Sequence, residues 1–228
     1  MALDRETVVR TALRLIDEGG LESLTLRKLA SELGVQAPAL YWHVKNKREL
    51  LDLVAVVLTN EQRELFATTP VEGQPWTDWV AQRTLAARQS MLEHRDSALI
   101  AAGNRPTPES LPAAEELLAS LVAIGLPPAE ALMFVLSNGY YLVGAVLERQ
   151  VGAARESQDS DAALDAALRD TEQFPQMAAA VAGILERVGG VIQPDMGKVL
   201  DDEVFRYGLG LMIDGLKARL ERANPQSE

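Results

Sequence analysis

Residues 24–48 read LTLRKLASELGVQAPALYWHVKNKR, and within them Tyr41, Trp42 and His43 stand directly ahead of Lys45, Lys47 and Arg48. Flat hydrogen-bonding side chains beside cations suit a polyanion with readable edges, because cations hold phosphates while planar and small groups address bases. Neighbouring helical residues point about 100° apart, so Tyr41 and Trp42 cannot both enter one core. Other chemistries are thinly provided for. The chain has no cysteine, which removes disulfides and thiolate ligands. It has two histidines, His43 and His94, and no HExxH helix, glycine-rich phosphate loop or histidine near a candidate nucleophile. The acidic groups Asp159, Asp161 and Asp201, Asp202, Glu203 read as solvated loop and helix-start charges. The expectation is a protein that is no enzyme, with no catalytic residues, no metal site and no cofactor.

The reading residues need elements to hold them. Thr25 is placed to accept a free backbone N–H at a helix start, after which Leu26, Leu29, Ala30 and Leu33 recur at helical spacing. Gly34 supplies the left-handed residue that ends this helix, and Pro38 suits the first position of the next, from Pro38 to His43. Asn46 and Glu49 resemble a capping box for a third helix carrying Leu50, Leu51, Val54, Val57 and Leu58. The segment Asp4 to Glu18, stopped by Gly19-Gly20, closes the core with Val8, Val9, Ala12, Leu15 and Ile16. Helix, turn and helix in this order make a helix-turn-helix, whose natural partner is double-stranded DNA.

Charge divides the molecule. Overall there are 22 Lys+Arg against 33 Asp+Glu, a net charge of −11 that by itself disfavours nucleic acid. Up to residue 48, however, eight cations face six acids, so attraction to phosphate is confined to one end. A chain of 228 residues suits a small domain plus a larger one, here 1–48 and 49–228. The start, with Asp4 and Glu6, lacks a signal-peptide core, and no apolar run approaches the roughly 20 residues that span a bilayer. The reading is a cytoplasmic protein with no membrane partner.

Beyond residue 48 the periodicity stays helical. Helices are expected from Lys47 to Phe66, Trp76 to His94, Asp96 to Ala102, Leu111 to Ile124, Ala129 to Gly152, Pro175 to Val188 and Val199 to Arg222. The polar, alanine-rich stretch 153–171 reads as a loop, and no strand pattern appears. The fold class is therefore all-α, with an N-terminal three-helix helix-turn-helix domain and a larger helical domain for ligand binding and dimerisation. Tyr207, Leu211, Ile213, Leu216 and Leu220, with glycines at 208, 210 and 215, suggest a surface that packs internally or pairs with the Ala129 helix in an intermolecular four-helix bundle. A homodimer is favoured because two-fold pairing sets two reading helices about 34 Å apart, one turn of DNA.

The runs LTLRKLASELGV and LYWHVKNKRELLD, Trp76, His94-Arg95-Asp96, Gly103 to Thr107 and GAVLERQ from Gly144 together resemble the tetracycline repressor family over nearly the whole chain. The resemblance implies a repressor that binds a palindromic operator and releases it on binding a small molecule. It places the family's guanine-reading arginine at Arg27 and base or methyl contacts at Gln36, Ala37, Pro38, Ala39 and Tyr41. Thr25, Trp42, His43 and Lys47 match phosphate-contacting or positioning sites. Ala37 stands where the family offers adenine a glutamine, so a different operator is expected.

On the ligand side the family's metal-holding histidine falls on Ala101 and its drug-contacting histidine on Arg63. The following polar and aromatic contacts fall on Arg83 and Ala87, a glutamine on Leu117 and a threonine on Asn104, while Glu148 keeps its carboxylate. Alanine cannot coordinate a cation, so recognition of a magnesium–drug chelate is not expected. The expected pocket is lined by Leu117, Val135, Asn138 and Tyr140, with Arg63, Arg83, Asn104, Arg105 and Glu148 as polar anchors and Ala87 and Ala101 giving room. Its expected effector is an apolar small molecule, with an anionic one as the alternative, such as an aromatic natural product or drug. Arg63 and Arg83 also read as ordinary surface cations. An alternative is a regulator whose packed C-terminal domain answers to a protein partner or to no ligand.

Arg27→Ala is expected to cost about 1–3 kcal/mol on the specific site, whereas Lys47→Ala is expected to weaken binding to all sequences alike. Gel-shift titrations measure both, and indifference to both changes would displace the reading helix from this segment.

Overall fold

A computed structural model describes residues 3–65, 69–104, 106–155, 172–188 and 196–223, the side chains of 62–65, 153–155, 196, 197 and 223 excepted. Among these residues there are ten α-helices, one 3-10 turn and no strand. The helices are α1 (Arg5–Gly19), α2 (Leu26–Glu32), α3 (Ala37–Leu40), α4 (Lys47–Leu65), α5 (Trp76–Glu93), α6 (Ser97–Ala101), α7 (Leu111–Ala123), α8 (Pro128–Arg155), α9 (Pro175–Arg187) and α10 (Met196–Ala223), with the 3-10 turn at Leu21–Ser23. The chain forms two compact units, one of residues 1–147 with 213–228 and one of residues 148–212.

Local chemistry explains the starts and stops. Asp4 caps α1 by accepting the Thr7 N–H at 2.7 Å, and that bond holds its carboxyl below the usual carboxylate range. Thr25 caps α2 by accepting the Lys28 N–H at 3.1 Å, and Gly34 (φ 67°) makes the left-handed exit. The third helix differs slightly from expectation. It begins at Ala37, so Pro38 holds its second position, and it ends at Leu40, leaving Tyr41 to His43 in a turn. The box before α4 is also displaced: Asn46 Oδ1 accepts the Glu49 N–H at 2.9 Å, while Glu49 reaches back to the Lys45 N–H at 2.6 Å.

The N-terminal core is continuous across α1 to α4. Val8, Ala12, Ile16, Leu29, Leu40, Val44, Leu50 and Val54 are fully buried in it, joined by Leu58 further along α4 and by Ile100 from α6. Within the first unit, Trp79, Val80, Leu121, Leu126, Ala131 and Val146 are also buried, as are Ile213, Leu216 and Leu220 of α10. In the second unit Val181, Phe205 and Leu209 are buried. There Arg149 pairs with Asp201 at 2.9 Å, Arg187 with Glu203 at 3.1 Å, and the Arg187 guanidinium lies 6.0 Å from the Tyr207 ring centre.

Contrary to the expectation from the sequence, α8 reaches membrane-spanning length. Residues Pro128–Gly152 are long and apolar enough to cross a bilayer by length and composition, with mean hydropathy 1.4, and only 17% of that window is buried. The sequence reading missed it because Asn138 and Tyr140 interrupt the run, while Leu, Val, Ala and Gly dominate around them. The expected loop at 153–171 falls partly inside α8, which continues to Arg155; residues 156–171 lie outside the described residues.

Leu50→Ala is expected to lower stability by about 2–5 kcal/mol, because it empties a fully buried position where α4 meets the reading helices. Urea unfolding measures the loss, and a cost near zero would remove α4 from this core.

Candidate nucleic-acid interface and effector pocket

The reading surface rests on the buried side of α3. Leu40 and Val44 point into the core, which turns the intervening residues outward, leaving Tyr41 57% and Trp42 88% exposed. Thr25, Arg27, Gln36 and Pro38 are also exposed, and Ala37, Ala39, His43 and Lys47 are half-buried. Nine of the ten expected DNA-facing residues therefore lie on α2, α3 and their flanks, and the tenth, Lys47, is the first residue of α4. Leaving an indole almost wholly in water costs burial of a large apolar surface, a sign of a face meant for a partner.

Lys47 behaves differently from a simple phosphate cation. Its ammonium donates to the carbonyl oxygens of Leu24 at 2.7 Å and Leu21 at 2.9 Å, closing the 3-10 turn ahead of α2. A flexible stem lets a lysine satisfy carbonyls inside the fold as readily as phosphates outside it.

The turn between α5 and α6 grips the back of this domain. His94 Nδ1 lies 3.0 Å from Asp17 of α1 and its Nε2 lies 3.2 Å from Glu61 of α4. The Arg95 N–H donates to Asp17 at 3.0 Å, and the Leu21 N–H donates to Asp96 at 2.7 Å. Asp96 itself is held in the left-handed region at φ 56°. Arg48 adds a bond to the Gly103 carbonyl at 2.6 Å. Sequence reasoning placed His94, Arg95 and Asp96 in a family run but gave them no task, because their partners lie about 75 residues away in the chain.

A cavity of about 300 Å³ opens between α4, α5, α7 and α8. Of the expected ligand residues, Arg83, Ala87, Leu117, Val135 and Asn138 line it. Ala101 and Asn104 are not among its lining residues, and Tyr140 is 77% exposed on the outer side of α8, a correction to its expected place in the wall. Because α8 is apolar on more than one face, periodicity does not separate wall from surface at Tyr140. The Arg63 side chain and Arg105 lie outside the described residues, and Glu148 belongs to the second unit. Sequence reasoning missed Thr59, Trp79, Thr84, Leu121, Phe134 and Leu142 in the wall. Asn138 Nδ2 donates to Thr84 Oγ1 at 3.2 Å, and Asn138 Oδ1 is buried with no partner among the described residues. On the same helix, burial pushes the Tyr141 phenol up, opposed by the positive charge of Arg88. Among the described residues the lining holds no carboxylate, imidazole or thiol, and no group of three or more His, Cys, Asp or Glu is placed for a metal. The residues present do not fit a magnesium-centred ligand.

Comparison with known proteins follows the same two parts. Residues 8–54 match the family described as bacterial regulatory proteins, tetR family, and residues 69–220 match the tetracyclin repressor-like C-terminal domain. The chain is 36% identical to the class C tetracycline repressor protein of Escherichia coli, over 94% of this chain and 91% of that protein. Among solved structures it resembles the class A TetR bound to 5a,6-anhydrotetracycline and magnesium, at 30% identity and TM-score 0.66, covering 95% of this chain and 99% of that one. It also resembles ActR of Streptomyces coelicolor in complex with (S)-DNPA, at 28% identity and TM-score 0.75, covering 96% of this chain and all of that one.

Because Lys47 closes the carbonyls of Leu21 and Leu24, Lys47→Ala is expected to lower stability by about 1–3 kcal/mol besides any effect on DNA. An unchanged thermal melt would show that these bonds carry no weight in solution.

Proposed function

The chain belongs to the tetR family of bacterial regulatory proteins, and from that premise we propose a homodimeric repressor that binds a palindromic operator and lets go when a small molecule fills its cavity. The carrying observation is the pairing of an exposed Tyr41-Trp42 face on a helix-turn-helix with a ligand-sized cavity sharing helix α4. The relatives are transcriptional regulators and not enzymes.

Arg27, exposed on α2, is assigned the bidentate contact to guanine; Gln36, Ala37, Pro38, Ala39 and Tyr41 address bases and methyl groups. Thr25, Trp42, His43 and Lys47 position the backbone phosphates. Residues 1–48 act as the reading domain and 49–228 as the effector and dimer domain. Support for the dimer comes from α8, where Leu132, Met133, Leu136 and Tyr140 are all exposed on an otherwise apolar helix. In the second unit Val204, Tyr207 and Leu211 of α10 are bare as well. A single copy leaves these surfaces in water, and a second copy covers them.

Release follows from α4. Its first three turns supply Leu50, Val54 and Leu58 to the reading domain's core, and Thr59 one residue on faces the cavity. An effector that shifts the far half of α4 moves the reading helices and changes their spacing across the dimer. Operator and effector then oppose one another by equal coupling free energies.

Selection from random duplex DNA with the full chain, followed by anisotropy titration, tests the proposal. The expected result is a palindromic site whose affinity falls linearly with salt on logarithmic axes, by roughly 10³–10⁵ between 50 and 200 mM for 6–10 phosphate contacts. Recovery of no preferred sequence would overturn it.

A further inference from the structure

The helix α3 reads APAL, and none of its four residues, Ala37 to Leu40, has a hydrogen-bonding side chain. Leu40 is fully buried, which fixes the roll of the helix. At about 100° per residue, Pro38 lies nearly opposite Leu40, Ala39 and Tyr41 lie about 100° to either side, and Ala37 is turned part of the way back toward the core. Exposure agrees with this count. Pro38 and Tyr41 are exposed, Ala39 is half-buried, and Ala37 is half-buried against the N-terminal core. The outward surface of the helix body is therefore the Pro38 ring and the Ala39 methyl, both apolar and both small.

Hydrogen bonding is left to the residues beside the helix. Gln36 stands immediately before it, is exposed, and makes no side-chain capping bond to it. Its amide thus keeps a donor and an acceptor for a partner outside the helix. The N-terminal residues of a recognition helix are the ones that meet base edges, so Gln36, Pro38 and Ala39 all lie at the end that enters the major groove.

The groove offers these groups different things. Every base pair shows donors and acceptors there, but the thymine C5 methyl is the one apolar group among them. An apolar helix surface gains by covering that methyl and gains nothing at cytosine, which bears a hydrogen on the same carbon. A side-chain amide, with its donor and acceptor side by side, matches N7 and N6 of adenine.

We infer that the body of α3 selects its operator through thymine methyl groups lying against Pro38 and Ala39, and that Gln36 takes an adjacent adenine. This rests on the reading of α3 as the operator-reading helix and names the bases that it reads. Two kinds of contact follow, one that depends on a methyl group alone and one that depends on a ring nitrogen alone.

The test uses the full chain and duplexes recovered by selection from random DNA, with affinity read by anisotropy at one salt concentration. Both half-sites are expected to carry thymines with a neighbouring adenine. Replacing one thymine in each half-site by deoxyuridine removes the methyl and leaves every hydrogen-bonding group in place. Each lost methyl is expected to cost about threefold to fourfold, so a symmetric pair costs about tenfold. Replacing the adenine by 7-deazaadenine removes the N7 acceptor and is expected to weaken the wild type about tenfold or more, while Gln36→Ala shows no further loss from that replacement. Because the deoxyuridine and 7-deazaadenine duplexes leave the protein untouched, the wild-type measurements carry the test if Gln36→Ala does not fold. Half-sites without thymine, deoxyuridine duplexes that bind as tightly as their parents, 7-deazaadenine that is harmless to the wild type, or a 7-deazaadenine loss of the same size in Gln36→Ala would each overturn the inference. In all four cases a preferred palindrome leaves the repressor reading standing; recovery of no preferred sequence would sink that reading along with this one.

Discussion

Helix α4 is packed twice over, and most of the molecule's behaviour follows from that. A helix-turn-helix of two short helices cannot bury enough surface to stand alone, so it borrows α1 on one side and the first half of α4 on the other. Leu50, Val54 and Leu58 are spent on that core, and Thr59 then faces the cavity with no break in the helix between. Hydrogen-bonded along its length, such a helix transmits a displacement as a lever and not as a local adjustment. The grip of His94, Arg95 and Asp96 on Asp17, Glu61 and Leu21 ties the α5–α6 corner to the same lever from behind.

Much of this was legible in the residues because caps, glycine exits and apolar spacing are local rules. Thr25, Gly34 and Asn46 each do what short-range chemistry demands, and Trp42 is outward as the angular argument requires. What was not legible shares a different cause. The two carbonyls that hold the Lys47 ammonium lie more than 20 residues earlier in the chain, so its local context does not announce them. Tyr140 sits on a helix apolar on several faces, where spacing alone cannot say which face meets the cavity. The Asn138–Thr84 bond joins residues 54 apart, so neither side chain announces the other. Register between helices, unlike the helices themselves, is written in packing.

Electrostatics and shape divide the labour between the ends of the chain. The acidic excess beyond residue 48 keeps the larger domain from lying along DNA, leaving affinity to a small neutral-to-basic patch and selectivity to a few exposed side chains. In the cavity the balance is reversed, since its described lining is mostly apolar. The relative crystallised with anhydrotetracycline and magnesium shares the architecture, whereas the described residues of this wall include no carboxylate, imidazole or thiol. Common scaffolding with altered lining is how one fold comes to answer different molecules.

Asp96 combines a left-handed backbone with a carboxylate that accepts the Leu21 N–H, two demands that few residues meet together. Glycine would accept the twist and forfeit the acceptor; glutamate would keep an acceptor on a longer arm and resist the twist. Asparagine satisfies both, and its codons differ from those of aspartate by a single base. The corner therefore admits asparagine with less strain than either of those replacements.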